Sequence, residues 1–263
     1  MTKRMMAAGA VALAAVVAGG ATLTGQQGSS YQAPRTPDGT PDLQGVWQVL
    51  NTAEYDLQTH QARQGVPAGL GVVEGEEIPY QPEAFGRKQR NGEAGASADP
   101  AAKCFFPGTP RIMYMPYPFR IVQTTDFTQM LFEFGHHTRI IYTNGIPHHD
   151  DIPFWMGDSR GRWDGETFVV ETKNFYDDNW LDKAGNFHSA ALEVVERFTR
   201  TGPDHIQYDV TLTDPDVYTR PWNISMTLYR RVEPNARLLE YECFAMDVYE
   251  GGRFDEHVVE STP

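Results

Sequence analysis

The chain has 263 residues, 40% of them hydrophobic, and sets 35 acidic against 22 basic side chains for a formal net charge of −13. That balance excludes a nucleic-acid binder that works by counterion release, which needs a Lys/Arg surplus, and it works against anionic membrane surfaces. The partner it leaves open is a small molecule, neutral or cationic.

Lys3 and Arg4 precede an apolar, alanine-rich run from Met5 to about Ala21, with small residues at Ala18, Gly20 and Ala21. The pattern predicts a signal peptide over residues 1–25, too short and too rich in alanine for a comfortable membrane span. An uncleaved anchor is the alternative. The mature chain is expected to be exported, periplasmic or extracellular, with no membrane span, and losing Lys3 and Arg4 takes its net charge from −13 to −15. No cysteine follows the leader, so no lipid anchor is expected. In an oxidising compartment Cys104 and Cys243 are expected to pair, closing a loop of about 140 residues; two buried thiols are the alternative.

Residues 26–42 are polar and rich in Gly, Ser and Pro, and read as a flexible linker before one domain over 43–263. A long loop is expected over about 56–118, where Gly69, Gly71, Pro79, Pro82, Gly86 and a small-residue run from Gly92 to Ala102 interrupt any period. From Phe119 the pattern turns to β. Candidate strands are Phe119–Thr124, Met130–Phe134, Thr138–Tyr142, Asp158–Trp163, Thr167–Thr172, Leu192–Arg200, His205–Thr213, Asn223–Arg231 and Leu238–Cys243. Turns are marked by Asn144-Gly145, Asp164-Gly165, Thr201 to Asp204 and Glu233 to Asn235, with Asp164-Gly165 read as the centre of a type I′ hairpin. Ile206, Tyr208, Val210 and Leu212 alternate with Gln207, Asp209, Thr211 and Thr213, so one face is buried. Consecutive hairpins without helices between them predict an all-β fold, a single antiparallel up-and-down barrel with a long N-terminal arm. Gly45-Val46-Trp47 fits the Gly-x-Trp at the mouth of lipocalin-like barrels.

Within Val194 to Phe198, Glu196 alternates onto the apolar face, where desolvation favours proton transfer; a buried Glu tied to an arginine such as Arg197 or Arg162 is the structural alternative. His188 follows a connection carrying Asp182, and a carboxylate that orients an imidazole makes a proton-transfer pair. His148-His149-Asp150-Asp151, preceded by His136-His137, has metal-ligand residue types, but neighbours on a strand point apart. No His-Glu-x-x-His or Cys-x-x-Cys set accompanies them. Gly157-Asp158-Ser159-Arg160-Gly161 matches Gly-x-Ser-x-Gly, yet a second strand follows it where a nucleophile elbow needs a helix. Trp155, Trp163, Trp180, Tyr218 and Trp222, with the phenylalanines, are candidates for the wall of an apolar or aromatic-ligand cavity, with core packing as the alternative.

The segments Cys104 to Arg111, Gly157 to Thr172, Asn174 to Ser189, Glu196 to Phe198, Pro221-Trp222 and Glu240 to Cys243 recur in order in a large, mostly uncharacterised family of exported bacterial proteins. The chain resembles that family over about residues 40 to 245, including its Gly-Asp-Ser-x-Gly-Arg-Trp-x-Gly-x-Thr-x-Val-Val-x-Thr segment. It departs from the pattern where Asp164 and Glu166 exchange the acids around Gly165, and where Phe187 replaces the proline before His188. The resemblance implies a lipocalin-like or calycin-like barrel and no settled reaction.

The leading expectation is an exported barrel enzyme of lyase, hydratase or isomerase type acting on a small, partly apolar organic substrate. Glu196 and His188 would exchange protons, Asp182 would orient His188, and His148 would be a second acid or base. Asn174, Trp155, Trp180, Tyr218 and Trp222 would bind the substrate without a cofactor. The alternatives are a non-catalytic periplasmic carrier of a small apolar ligand and a metal-dependent enzyme using His148, His149 and Asp150.

Overall fold

A computed structural model of the chain describes residues 31–243. The predicted signal peptide and the first residues of the predicted linker lie outside the described residues. Nine strands form one closed, mostly antiparallel barrel in chain order: β1 Gly45–Val49, β2 Phe119–Gln123, β3 Phe127–Phe132, β4 Thr138–Tyr142, β5 Asp158–Asp164, β6 Thr167–Lys173, β7 Glu193–Gly202, β8 His205–Thr213 and β9 Trp222–Arg230. The all-β barrel class is as the sequence predicts. No described helix is long and apolar enough to cross a membrane.

Three strand assignments differ. The strand expected at Met130–Phe134 runs over Phe127–Phe132, Gly45–Val49 is a full strand that closes the barrel between β2 and β9, and Leu238–Cys243 is no strand but lies along the turn after β3, bridging from Tyr241 to Phe134. Once β1 pairs with β9 the cylinder has no edge left for a further strand. The β5–β6 hairpin is also shifted by one residue. Asp164 pairs with Thr167, so Gly165-Glu166 forms its tip with Gly165 at φ +60°, the glycine-first arrangement of a II′ turn.

The strict up-and-down expectation fails at one place for a reason of parity. A ring of strands that alternate in direction needs an even number, so nine strands in chain order must include a parallel pair. That pair is β4 with β5, matched only at Ile141 with Ser159 and Tyr142 with Arg160. The connection over 143–157 must therefore run back along the barrel. Arg160 Nε anchors it on the carbonyls of Ile146 at 2.8 Å and Pro147 at 3.1 Å, Asn174 donates to the carbonyl of His149, and Phe154 bridges to Phe175.

Residues 31–42, expected as flexible linker, are docked. Arg35 bridges to Pro41, Ala33 is buried, and Arg200 Nη1 donates to the Asp42 carbonyl at 2.6 Å. The expected loop over 56–118 contains a helix, α1 Pro82–Ala94, and three single-turn 3-10 segments, Ala96–Ala98, Pro100–Lys103 and Arg111–Tyr114. Helix α1 buries none of its residues, which is why no apolar period announces it. It rests on the 182–186 turn, where Gly185 at φ +87° comes so close that an added Cβ would stand 2.6 Å from Asn91 Cβ. Val72–Glu74 covers the part of β9 that β1 does not reach, with Ser225 N donating to Val72 O at 2.9 Å and Glu74 N to Asn223 O at 3.0 Å.

Cys104 and Cys243 form a disulfide across 139 positions of sequence. A loop of that length constrains the unfolded chain by about 5 kcal/mol in the chain-entropy treatment. Reduction with a dithiol is expected to lower the unfolding free energy by up to about that amount, read as a drop in the urea midpoint. An unchanged midpoint contradicts it.

Candidate functional site

Inward-facing residues stack in rows across the sheet, among them Val170, Glu196, Val210 and Ile224 on four adjacent strands. The row buries Glu196 at 0% exposure, and opposite it stands Arg139 of β4, 2% exposed. Arg139 grips both carboxylate oxygens, with Nη1 at 2.9 Å from Oε1 and Nη2 on Oε2. Its Nε donates to Ser159 Oγ at 3.1 Å and Nη2 to Thr172 Oγ1 at 2.9 Å, while Tyr208 OH donates to Glu196 Oε1 at 2.7 Å. Burial, then the Glu196 charge, holds the Tyr208 hydroxyl well above its ordinary pKa, so it remains a donor. Glu196 is therefore the structural alternative, with Arg139 as partner and not Arg197 or Arg162. A carboxylate with both oxygens engaged inside packed side chains has no open position for a substrate.

The expected Asp182–His188 pair does not form. Asp182 accepts from the backbone N–H of Leu57 at 2.9 Å, Ala184 at 3.0 Å and Asn186 at 3.1 Å, and from Asn186 Nδ2 at 2.6 Å, so it fixes the turn it belongs to. Burial, then the Asp56 charge, pushes its pKa up to about 6. His188 is 1% exposed, bonds through Nδ1 to the Ser189 carbonyl at 2.9 Å and sets its ring edge against Phe175. Burial lowers its pKa. Trp180 bridges to Phe187, Tyr218 OH donates to the Phe187 carbonyl at 2.7 Å, and Trp222 packs edge-on against Tyr218. All of these are buried, so this segment, richest in candidate residues, is a packed plug.

The accessible site lies at the parallel seam. β5 pairs with β4 only from Ile141 onward, which leaves Thr138–Ile140 beside a cleft of about 470 Å³. Its lining includes Phe106, Ile140, Tyr142, Phe154, Trp155 and Tyr176, with Arg139, Asp158 and Ser159 supplying the polar part. Trp155 stands 5.0 Å from Tyr176 and 5.4 Å from Phe105 between ring centroids. Phe106 stacks on His137 at 4.0 Å, and burial, then His136, lowers that imidazole to about 4.

At the edge of the cleft, Asp158 accepts from Arg160 Nη1 at 2.6 Å and from His149 N at 2.9 Å, and it meets His148 Nδ1 at 3.3 Å. Burial and the Arg160 charge keep His148 below its ordinary pKa despite the carboxylate. His148 thus turns to Asp158, while the His149 ring lies 5.9 Å from Phe154. Among the described residues no group of three His, Cys, Asp or Glu side chains is placed to hold a metal ion, and His148, His149 and Asp150, the alternative metal set, do not come together as one. Asn174 fastens the 143–157 connection and does not line the cleft.

The Gly-x-Ser-x-Gly match is explained by packing. A Cβ on Gly157 would meet Thr172 Cγ2 at 2.4 Å, and one on Gly161 would meet the Phe168 ring at 2.5 Å. Ser159 has Arg139 and Thr172 as hydrogen-bond partners and no base. Of the expected ligand-binding residues only Trp155 lines the cleft. Phe106 and Phe154 were anticipated only among the phenylalanines as a class, and Ile140, Tyr142 and Tyr176 not at all, though Tyr176 lies two residues from Asn174. No protein-family model matches the chain, and no curated protein matches it.

Replacing Glu196 with Gln is expected to cost about 3 to 5 kcal/mol in urea unfolding, because Arg139 keeps its buried charge; a cost below about 1 kcal/mol contradicts the central role of the pair. The pH dependence holds opposing contributions. Asp182, raised in the fold, contributes stability below about pH 4 that is lost as pH rises through about 6. His137, lowered to about 4, contributes stability above about pH 6.5 that is lost as pH falls from there through about 4. His137→Phe is therefore expected to make stability rise less with pH between about 4 and 6.5 than in the parent chain, and an unchanged slope contradicts the assignment.

Proposed function

We propose that this chain binds a small, partly apolar organic molecule in the cleft at the β4–β5 seam and acts as an exported carrier. The observation that carries this reading is the aromatic wall. Phe106, Ile140 and Tyr176 are 37 to 41% exposed around one cleft of about 470 Å³, a size suited to a small ligand, and Phe105 packs behind Trp155. Apolar rings grouped about a concavity gain most when a ligand removes them from water. The acid/base reading has less support, since Glu196, the Asp182–His188 segment and His148 lie in three separate environments.

One observation keeps catalysis as the second reading. His148 is held by Asp158 and biased toward the neutral form, so its remaining nitrogen is suited to take a proton.

The test is to identify the small molecule that co-purifies with the exported protein by native mass spectrometry, and to titrate it into the parent chain, Trp155→Ala and His148→Asn. The carrier reading predicts a loss in affinity of tenfold or more for Trp155→Ala, the equivalent of about 1.4 kcal/mol or more, with His148→Asn binding as the parent does. Chemical conversion of the ligand that His148→Asn abolishes with affinity intact would replace the carrier with an enzyme.

A further inference from the structure

We infer that the ligand class this cleft selects is the neutral aromatic primary amide, a molecule joining an aromatic ring to a carboxamide whose syn N–H and C=O share one planar edge. The inference rests on the reading of the cleft as a binding site and adds what the ligand must present there.

The charged side chains of the cleft, with Ser159 beside them, are already engaged. Arg139 is spent on Glu196, Ser159 and Thr172, Ser159 on Arg139 and Thr172, and Asp158 on Arg160, His148 and the His149 amide. An ionic ligand finds no uncommitted counter-charge among these groups, and displacing one would leave its former partner unpaired.

The backbone is different. On β4 the odd-numbered residues bond toward β3: the carbonyl of His137 accepts from Phe132 N at 2.9 Å, and Thr143 N donates to Asp126 O at 2.8 Å. Bonding direction alternates along an antiparallel strand, so Arg139 and Ile141 also face β3 while Thr138 and Ile140 present their peptide groups to β5. The β5 register begins only at Ile141. The Thr138 carbonyl and the Ile140 N–H therefore face the cleft with no strand partner among the described residues. On the opposite lip, Gly157 at φ +72° turns the chain where β5 would have continued the ladder.

The comparable gap beside β9 is filled by Val72–Glu74, which supplies main-chain bonds. At β4 nothing among the described residues does the same. A primary amide can do it, because one of its N–H bonds lies syn to its carbonyl: it offers that carbonyl to Ile140 N–H and that N–H to the Thr138 carbonyl while its ring lies among Phe106, Trp155 and Tyr176.

The experiment uses the full, disulfide-bonded chain with 2-phenylacetamide and its ester counterpart methyl phenylacetate, which lacks the N–H. Each is titrated into the parent chain and Trp155→Ala by fluorescence, with the Ile140 amide followed by NMR. The expected result is that the amide binds about tenfold or more tightly than the ester, that Trp155→Ala weakens both, and that the Ile140 N–H shifts and exchanges more slowly with the amide bound. Equal affinities that both fall in Trp155→Ala would overturn the amide inference and leave the cleft reading standing. Binding of neither compound, or binding that Trp155→Ala does not weaken, would overturn the inference, and binding mapped away from Trp155 and Ile140 would remove the cleft reading with it.

Discussion

The fold turns on one buried ion pair. Arg139 on β4 and Glu196 on β7 meet inside the barrel, and their hydrogen-bond partners are Ser159 on β5, Thr172 on β6 and Tyr208 on β8. Five consecutive strands thus each place one polar side chain at a common point. A slip of one residue in any of them would turn that side chain outward and strand the rest in an apolar interior. The network fixes register more than it adds net stability, since the cost of desolvating two charges offsets much of their attraction. It also occupies the interior, where a lipocalin-like ligand would otherwise sit.

With the inside committed, the site proposed for a ligand lies at the wall. Odd strand number forces one parallel pair, the pair matches over two residues, and the chain that returns along the barrel carries Phe154 and Trp155 across the half-open edge. Arg160, Asn174 and the Phe154–Phe175 bridge hold that crossing in place, and the disulfide at Cys104 fixes the segment that bears Phe105 and Phe106. The cleft is therefore a consequence of topology, furnished with aromatics.

Much of this was legible. Runs rich in β-branched and aromatic residues between turn signals located β4 through β8 to within a residue or two at most ends, and the alternation in β8 marked its core-facing side. These signals failed for Leu238–Cys243, whose strand-like composition has no place in a barrel already closed by β1, and for helix α1, which buries nothing and has no apolar period. The candidate site was read less well, for a physical reason. Asp, His and Trp clustered in sequence look like chemistry, yet Asp182 and Tyr218 serve the hydrogen-bond needs of a buried irregular segment that lacks a ladder of its own. Glu196 was placed correctly on the inner face, but its partner Arg139 lies 57 positions away and nothing local marks the pair. Only Trp155 joined residues that strand counting, not motif reading, brings together.

The most direct measurement is a two-dimensional amide NMR map of the full chain titrated with a set of small aromatic compounds. The account predicts shifts at Ile140, Tyr142, Trp155, Gly157 and Tyr176, with Glu196, Tyr208 and Val210 unmoved because the interior is closed. Shifts concentrated at Glu196, Tyr208 and Val210 would mean that the barrel admits ligand and that the ion pair is part of the site.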